Sequence, residues 1–438
     1  MQPIFLLNPK WPPDMLSTII TSAPIYVCSI LSILLGLSLT IKWDRARYRL
    51  LMFMITATMF YIGHFAFYNH TISVVPITDT LYCFSYPAIF PLILIYIEAL
   101  VLKEPNYKRA LLYLLPSFIC GISAGLIYAT MSDEEFSEFI GYHYYFQNYN
   151  SISGSAWWLV FIHRAFRIII AMEIPLVLYF GWKYINEYNR MVENYYSNTE
   201  DKVVTFIKPL MIAFVATLTA SFISNFLNRN YFTESIWLLA IPALLFSSMI
   251  LLFGFVGLTQ NIYTREIVEE NAMMEEEEPE QEIIPLTPEK EHIMAAEIRK
   301  LMDEKRLFLQ PNLKINDLAS MLNTNRNYIY KAINLGIGLS FAEYVNKKRI
   351  EYAVQLIDQN REILLTDVAH KSGFSSPSAF YRNFKLYMDC SPSDYQKRGA
   401  SITASIPSQL KLVRDINFCL NLVILNRKLN NANYRLQN

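Results

Sequence analysis

Charge is scarce in this chain of 438 residues: Asp, Glu, Lys and Arg make up 17% of it, while 53% is hydrophobic. Soluble domains carry about a quarter charged residues, and disordered chains combine high charge with low apolar content, so neither class fits. Cysteine is sparse too. Cys28, Cys83, Cys120, Cys390 and Cys419 form no CxxC pair, and neither they nor the six histidines fall into metal-ligand spacing. A disulfide scaffold and a zinc module are therefore not expected, and no metal site is assigned. The chain also lacks a P-loop, a nucleotide fingerprint, and a Ser/His/Asp or Cys/His set in recognisable context. The expectation is no catalytic residue, no cofactor and no enzyme.

What charge there is has been sorted along the chain. The 38 basic and 38 acidic residues give zero net charge. They divide as 15 and 15 over Met1–Tyr263, one and nine over Thr264–Ile283, 17 and 13 over Pro288–Ala400, and five and one from Ser401 onward. The chain runs neutral and apolar, then acidic, then basic.

Seven apolar runs occupy the first part, roughly Leu16–Ile41, Leu50–Asn69, Leu81–Leu102, Ala110–Thr130, Trp157–Tyr184, Phe206–Leu227 and Ile236–Leu258. About 20 apolar residues cross a bilayer core, so each run is long enough. A soluble helical core would show polar stripes at helical spacing, and most of these runs contain no charge at all. The first run has no basic segment before it and exceeds a signal-peptide core, so it is expected to stay as an anchor. The lipid bilayer is thus the first expected partner.

Lys and Arg collect on the cytoplasmic side of short loops. Lys42, Arg45, Arg47 and Arg49 follow the first run, Lys103, Lys108 and Arg109 the third, and Lys183, Arg190 and Lys202 the fifth. The alternate loops carry almost none. This pattern predicts an N-terminus outside and everything after the seventh run in the cytoplasm.

The fifth run carries His163, Arg164, Arg167 and Glu173. Ionisable groups at membrane depth are costly and usually face a cavity or a partner. One reading is a polar pocket that receives a small-molecule or membrane signal, completed by Glu98, Asn225 or His64. The other is that the helix starts near Ile168 and leaves the basic pair among the headgroups. A retinal Schiff base is not expected, since the last run contains no lysine.

The stretch from Thr264 to Thr287, with Glu275–Glu278, Pro279 and Pro285, reads as a solvated linker. It serves either as a spacer or as an acidic competitor for the basic unit that follows.

Soluble amphipathic helices return after Pro288. In KINDLASMLNTNRNYIYKAIN (Lys314–Asn334), Ile315, Leu318, Ala319, Leu322, Tyr328, Ile329 and Ile333 would line the face between two helices, with turn and cap at Asn323–Asn325. The second helix would expose Arg326, Asn327, Tyr330 and Lys331, donors suited to bases and phosphates. In LLTDVAHKSGFSSPSAFYRNFKLY (Leu364–Tyr387), Gly373 supplies a tight turn, Ser375 or Ser376 a cap, and Pro377 the first helical position. Phe374, Phe380 and Phe384 would pack inward, leaving Ser376, Ser378, Tyr381, Arg382 and Lys385 for DNA. Ser340–Asp358 between the two motifs reads as one helix of about 28 Å, comparable with the spacing of successive major-groove faces. Lys347, Lys348 and Arg349 on it read as backbone contacts or solvated charge.

These segments resemble the AraC/XylS family of bacterial transcription regulators over about Leu313–Arg398. GLSFAEYVNKKRIEYAVQLI (Gly338–Ile357) resembles the family's linker helix, and DVAHKSGFSSPSAFYRNFK (Asp367–Lys385) followed by SPSDY (Ser391–Tyr395) resembles its signature. Asp389 stands where the family usually has glycine, and Ile333–Asn334 replaces a usual Phe-Lys. A seven-helix unit in front resembles the membrane-bound subgroup.

The expected architecture is therefore all-α. A seven-transmembrane-helix sensor (1–262) leads through an acidic linker (263–287) to a cytoplasmic double helix-turn-helix domain (288–400) and a tail (401–438). The tail's apolar stretch Ile416–Leu425 is too short to span a membrane and is either a dispensable extension or a docking helix. The resemblance implies double-stranded DNA as a partner, RNA polymerase as a further one, and the bacterial inner membrane as the location. The rival from another class is a membrane receptor or transport protein whose C-terminal domain binds a protein.

Overall fold

The structure, a computed structural model, describes residues 15–101, 106–145, 153–199, 236–259 and 288–398, with a few positions between 208 and 219. Every regular element among them is helical, in agreement with the all-α expectation. The expected sixth run, Phe206–Leu227, lies almost wholly outside the described residues, as do Asn225, the acidic linker and the tail. Contacts divide the chain into two units, one of Met1–Arg190 with Val203–Pro279, the other of Met191–Lys202 with Glu280–Asn438.

In the first unit α1 (Met15–Ile41), α2 (Arg45–Tyr68), α3 (Val75–Val101) and α4 (Tyr107–Thr130) pack as successive neighbours. A short α5 (Asp133–Glu138) and a π-helical turn (Phe139–Tyr144) precede the 42-residue α6 (Gly154–Tyr195). α7 (Ile236–Thr259) returns against α1 and α2. Six of these, α1–α4, α6 and α7, are long and apolar enough to cross a membrane.

The side chains sort into one enclosed helix and apolar outer faces on others. α3 is buried without interruption from Ser85 to Val101, the pattern of a helix enclosed on all sides. Its neighbours turn large apolar groups outward, among them Ile30 and Leu37, Leu112 and Ile122, and Leu244 and Phe255. Such a continuous apolar exterior suits hydrocarbon rather than water. Where α4 crosses α3, a Cβ on Gly121 would stand 2.6 Å from that of Phe84. Only glycine permits that approach. The basic loop after α1 also has a local task. Arg45 donates to the Ala99 carbonyl at 3.4 Å and Arg47 to that of Leu258 at 3.2 Å, capping the ends of α3 and α7.

In the second unit α8 (Pro288–Lys305) leads to two helix pairs, α9 (Ile315–Met321) with α10 (Arg326–Lys331), and α12 (Leu365–Lys371) with α13 (Pro377–Met388). The 19-residue α11 (Phe341–Gln359) joins the pairs, and α14 (Pro392–Arg398) ends the unit. α11 serves two separate cores. Phe341, Tyr344 and Val345 enter the one built on Leu318 and Ile329, while Ile350, Ala353 and Ile357 enter the one built on Phe380 and Phe384. A Ser340–Glu343 capping box starts this connector, as the paired donors and acceptor of such a box demand.

One segment belongs elsewhere than the sequence suggests. The boundaries read from composition place everything up to 262 in the membrane region, yet the residues from Met191 group with the C-terminal unit. Tyr195 packs on the first core, Tyr196 forms an antiparallel bridge with Lys314, and the Ser197 N–H donates to the Leu313 carbonyl at 3.1 Å. Composition cannot reveal this, because these contacts join residues more than a hundred positions apart.

Candidate nucleic-acid interface and a buried polar cluster

The second helix pair has the geometry the sequence implies. Gly373 turns with φ +82°, and a Cβ there would stand 2.7 Å from the backbone of Leu309. Ser376 accepts from the Ala379 N–H at 3.0 Å and Pro377 occupies the first turn of α13. Ala379, Phe380 and Phe384 face the core, so Ser378, Tyr381, Arg382 and Lys385, three and four residues apart, share the exposed face. Ser376 is half-buried and engaged in its cap. Asp389 ends the helix in the left-handed region at φ 54°, a conformation that glycine adopts freely and that Asp tolerates better than most residues.

Near its C-terminal end α13 is tied to α11, and α14, which follows, is tied to α11 as well. The Tyr387 hydroxyl donates to the Glu343 carbonyl of α11 at 3.0 Å, and burial pushes its pKa upward. On α14 Tyr395 donates to Asp358, and burial and that carboxylate push its pKa upward as well. Both phenols keep their protons and remain donors.

The first pair differs from expectation at one residue. Asn325 caps α10 through the Asn327 N–H at 2.6 Å, and Asn323 takes a positive φ of 48°, so turn and cap are as read. Asn327, Tyr330 and Lys331 are partly exposed, and Tyr330 also leans on the core. Arg326, expected to face outward, is only 4% exposed. Its guanidinium carbon lies 5.2 Å from the centre of the Tyr195 ring, so the segment after α6's long apolar stretch covers it.

Arg349 is a second correction. Read as a backbone contact or solvated charge, it is 1% exposed and ties the unit together. It donates to the Phe308 carbonyl at 2.7 Å, to that of Gln310 at 2.6 Å and to the Ser197 hydroxyl at 3.2 Å, and lies 5.6 Å from the Phe374 ring. Burial pushes its pKa down to about 10, so it stays charged at neutral pH. Lys348 pairs with Asp303 at 2.8 Å.

A helix-turn-helix domain family matches residues 318–398. The chain carries an AraC-type helix-turn-helix domain. Over 86 residues the chain is 34% identical to the Msm operon regulatory protein of Streptococcus mutans, covering 20% of this chain and 31% of that protein. Over 101 residues it is 28% identical to the transcriptional regulatory protein HptR of Staphylococcus aureus, covering 23% of this chain and 39% of that protein. The chain thus spans less than two-fifths of the length of either of these curated relatives. No solved structure gives a significant match.

The first unit holds a polar cluster that spacing did not reveal. His163 and Asp79 are buried at 6% and 2% exposure, and His163 Nε2 lies 3.0 Å from Asp79 Oδ2. The same oxygen accepts from the Tyr128 hydroxyl at 2.8 Å and stands 4.0 Å from Cys83 Sγ. His143 Nε2 faces His163 Nδ1 at 3.4 Å. The absence of a metal-capable set, expected from spacing, is therefore corrected. One ligand atom each of Asp79, Cys83 and His163 falls within 4.8 Å of the others. In the sequence Asp79 lies just outside the apolar run that starts at Leu81, whereas α3 begins at Val75 and includes it.

The remaining members of the expected signal pocket do not join this cluster. Arg164 is exposed and Arg167 half-buried. Glu98 lies 19 residues beyond Asp79 on α3, about 28 Å away by helical rise, and Glu173 lies ten beyond His163 on α6, about 15 Å away. His64 instead sits among aromatic rings, 4.5 Å from Phe60 and 5.4 Å from Tyr82. The alternative of a helix starting near Ile168 is also corrected, since α6 starts at Gly154 and the Ser155 N–H donates to Glu135 at 2.9 Å.

Proposed function

We propose that this protein is a membrane-anchored transcription regulator that binds specific DNA sequences through its AraC-type domain in response to a signal received by the helical bundle. The observation that carries the reading is the exposed face of Ser378, Tyr381, Arg382 and Lys385 on α13 of a double helix-turn-helix unit, in a chain whose described residues up to Thr259 include six bilayer-length apolar helices. Arg382 and Tyr381 read base edges and Lys385 holds a phosphate, with Ser376, Ser378, Asn327, Tyr330 and Lys331 supporting the register. The relatives' names, an operon regulatory protein and a transcriptional regulatory protein, support the same class.

Loop charges support a topology with the N-terminus outside the bacterial inner membrane and the DNA-binding unit in the cytoplasm. RNA polymerase is the further partner such a regulator addresses. The test is to map chromosomal sites cross-linked to the tagged full-length chain. Discrete sites lost on Arg382→Ala support the reading, and the absence of discrete sites overturns it.

A further inference from the structure

We propose that Asp79, Cys83 and His163 form a site for a divalent metal ion of the zinc class inside the bundle, with His143 and Tyr128 as its positioning residues. The proposal names a ligand for the membrane unit and so deepens the sensor reading. Asp79 and Cys83 are four residues apart on α3, one turn of the helix, and His163 comes from α6. The three ligand atoms already lie within 4.8 Å of one another, and all three residues are buried. Little movement is needed to bring them around one ion.

The donor set itself selects the ion. A thiolate, an imidazole and a carboxylate together suit zinc-like ions, whereas calcium and magnesium take oxygen ligands. Charge favours the same choice. A carboxylate and a thiolate neutralise a divalent cation completely, and a complex of zero net charge is the form that a low-dielectric interior tolerates. Three protein ligands leave a fourth position open, as exchangeable sites do and closed structural sites do not.

The surrounding residues match this role. A carboxylate only accepts, so without an ion His163 donates its Nε2–H to Asp79. On binding, Nε2 turns its lone pair to the ion and the imidazole proton sits on Nδ1. It then points at His143 Nε2, 3.4 Å away, whose own proton moves to Nδ1. The Cys83 thiol gives its proton to solvent as the sulfur–metal bond forms, so one proton leaves for each ion bound. Tyr128 donates to Asp79 at 2.8 Å and fixes the carboxylate. Ligating imidazoles and carboxylates are held in this way by a second layer of hydrogen bonds. In a plain hydrogen-bond network Cys83 would add only a weak thiol donor to Asp79 at 4.0 Å, whereas toward an ion it supplies a strong soft ligand.

The test uses the full chain, stripped with chelator in detergent and titrated with Co2+ as a spectroscopic probe. One Co2+ per chain should bind with the thiolate charge-transfer band and the ligand-field bands of a tetrahedral site, and Zn2+ should displace it. Cys83→Ser removes the charge-transfer band. Asp79→Asn and His163→Gln weaken binding at least about tenfold, as loss of a ligand does where even an outer partner costs about 10–100-fold. Thermal unfolding with and without Zn2+ separates lost binding from lost folding: a variant that melts like the metal-free parent is folded and site-less. A chain that takes up no stoichiometric Co2+, or a charge-transfer band surviving Cys83→Ser, overturns the proposal and leaves the regulator reading standing. Uptake at this site with chromosomal occupancy unchanged by Zn2+ supports the site and instead counts against sensing through it.

Discussion

The ring of Tyr195 lies 5.2 Å from the guanidinium carbon of Arg326, and it does so from the end of the same helix that carries His163. Arg326 begins the recognition helix of the first pair, so a residue expected to meet DNA is covered by the protein's own chain.

This cover sets an order between Arg382 and Arg326, the two arginines that the sequence offers for DNA. Arg382→Ala should weaken operator binding by about 1–3 kcal/mol and relax preference at one base position, while Arg326→Ala in the otherwise unchanged full chain should cost much less. In a Tyr195→Ser background the Arg326→Ala cost should rise, which a double-mutant cycle of gel-shift affinities measures. Equal costs for Arg326→Ala in both backgrounds would falsify the covering role.

Lys385→Ala should weaken all sequences alike and reduce the slope of log affinity against log salt by about one, since a phosphate contact releases one counterion. A change in base preference instead would move Lys385 to the base-reading set. Affinities on operator and scrambled DNA across a salt series decide between them.

Arg349→Met should loosen the joint between the two helix pairs. The buried Phe308 carbonyl loses its donor, at about 1–3 kcal/mol, while the carbonyl of exposed Gln310 can turn to water at lower cost. Arg349→Lys should recover only part, because one ammonium cannot reproduce the guanidinium fork. Amide hydrogen exchange of Leu307–Gln310 and Phe374 in the full chain reads the effect, and unchanged protection in the Met variant would refute it.

Gly373→Ala should destabilise the same joint by more than the roughly 1–2 kcal/mol that a left-handed backbone costs an L-residue, since the added methyl also meets the Leu309 backbone at 2.7 Å. Loss of DNA binding at a lower temperature than in the parent is the expected readout.

Glu135 predicts a pH dependence at the start of α6. The N–H groups of Ser155 and Ser132 donate to it and hold its pKa below the usual 4.5. The folded protein therefore binds fewer protons here than the unfolded chain. The stabilisation is complete above pH 4.5 and disappears as pH falls through the lowered folded value. Exchange of the Ser155 amide should quicken there, and Glu135→Gln should make it fast at neutral pH.

Much of this was legible because it depends on local rules. Ser376, Pro377 and Gly373 announce a helix-turn-helix turn through capping, a missing N–H and backbone freedom, none of which needs a distant partner. The fate of Arg326, Arg349 and Asp79 was not legible. Arg326 and Arg349 look like surface charge on amphipathic helices, and residues brought in from elsewhere, Tyr195, Phe308 and Ser197 among them, cover them. Glu98 and Glu173 looked like partners of His163 because a list of ionisable residues carries no distances, whereas helical rise separates them.

By itself, then, the sequence determined the division into apolar bundle and basic head, the two helix pairs and the face of α13, since period, charge and turn chemistry act within a few residues. Only the tertiary structure decided which polar groups meet. It places Asp79, Cys83 and His163 together and Tyr195 over Arg326, because such contacts arise from packing between elements far apart in the chain.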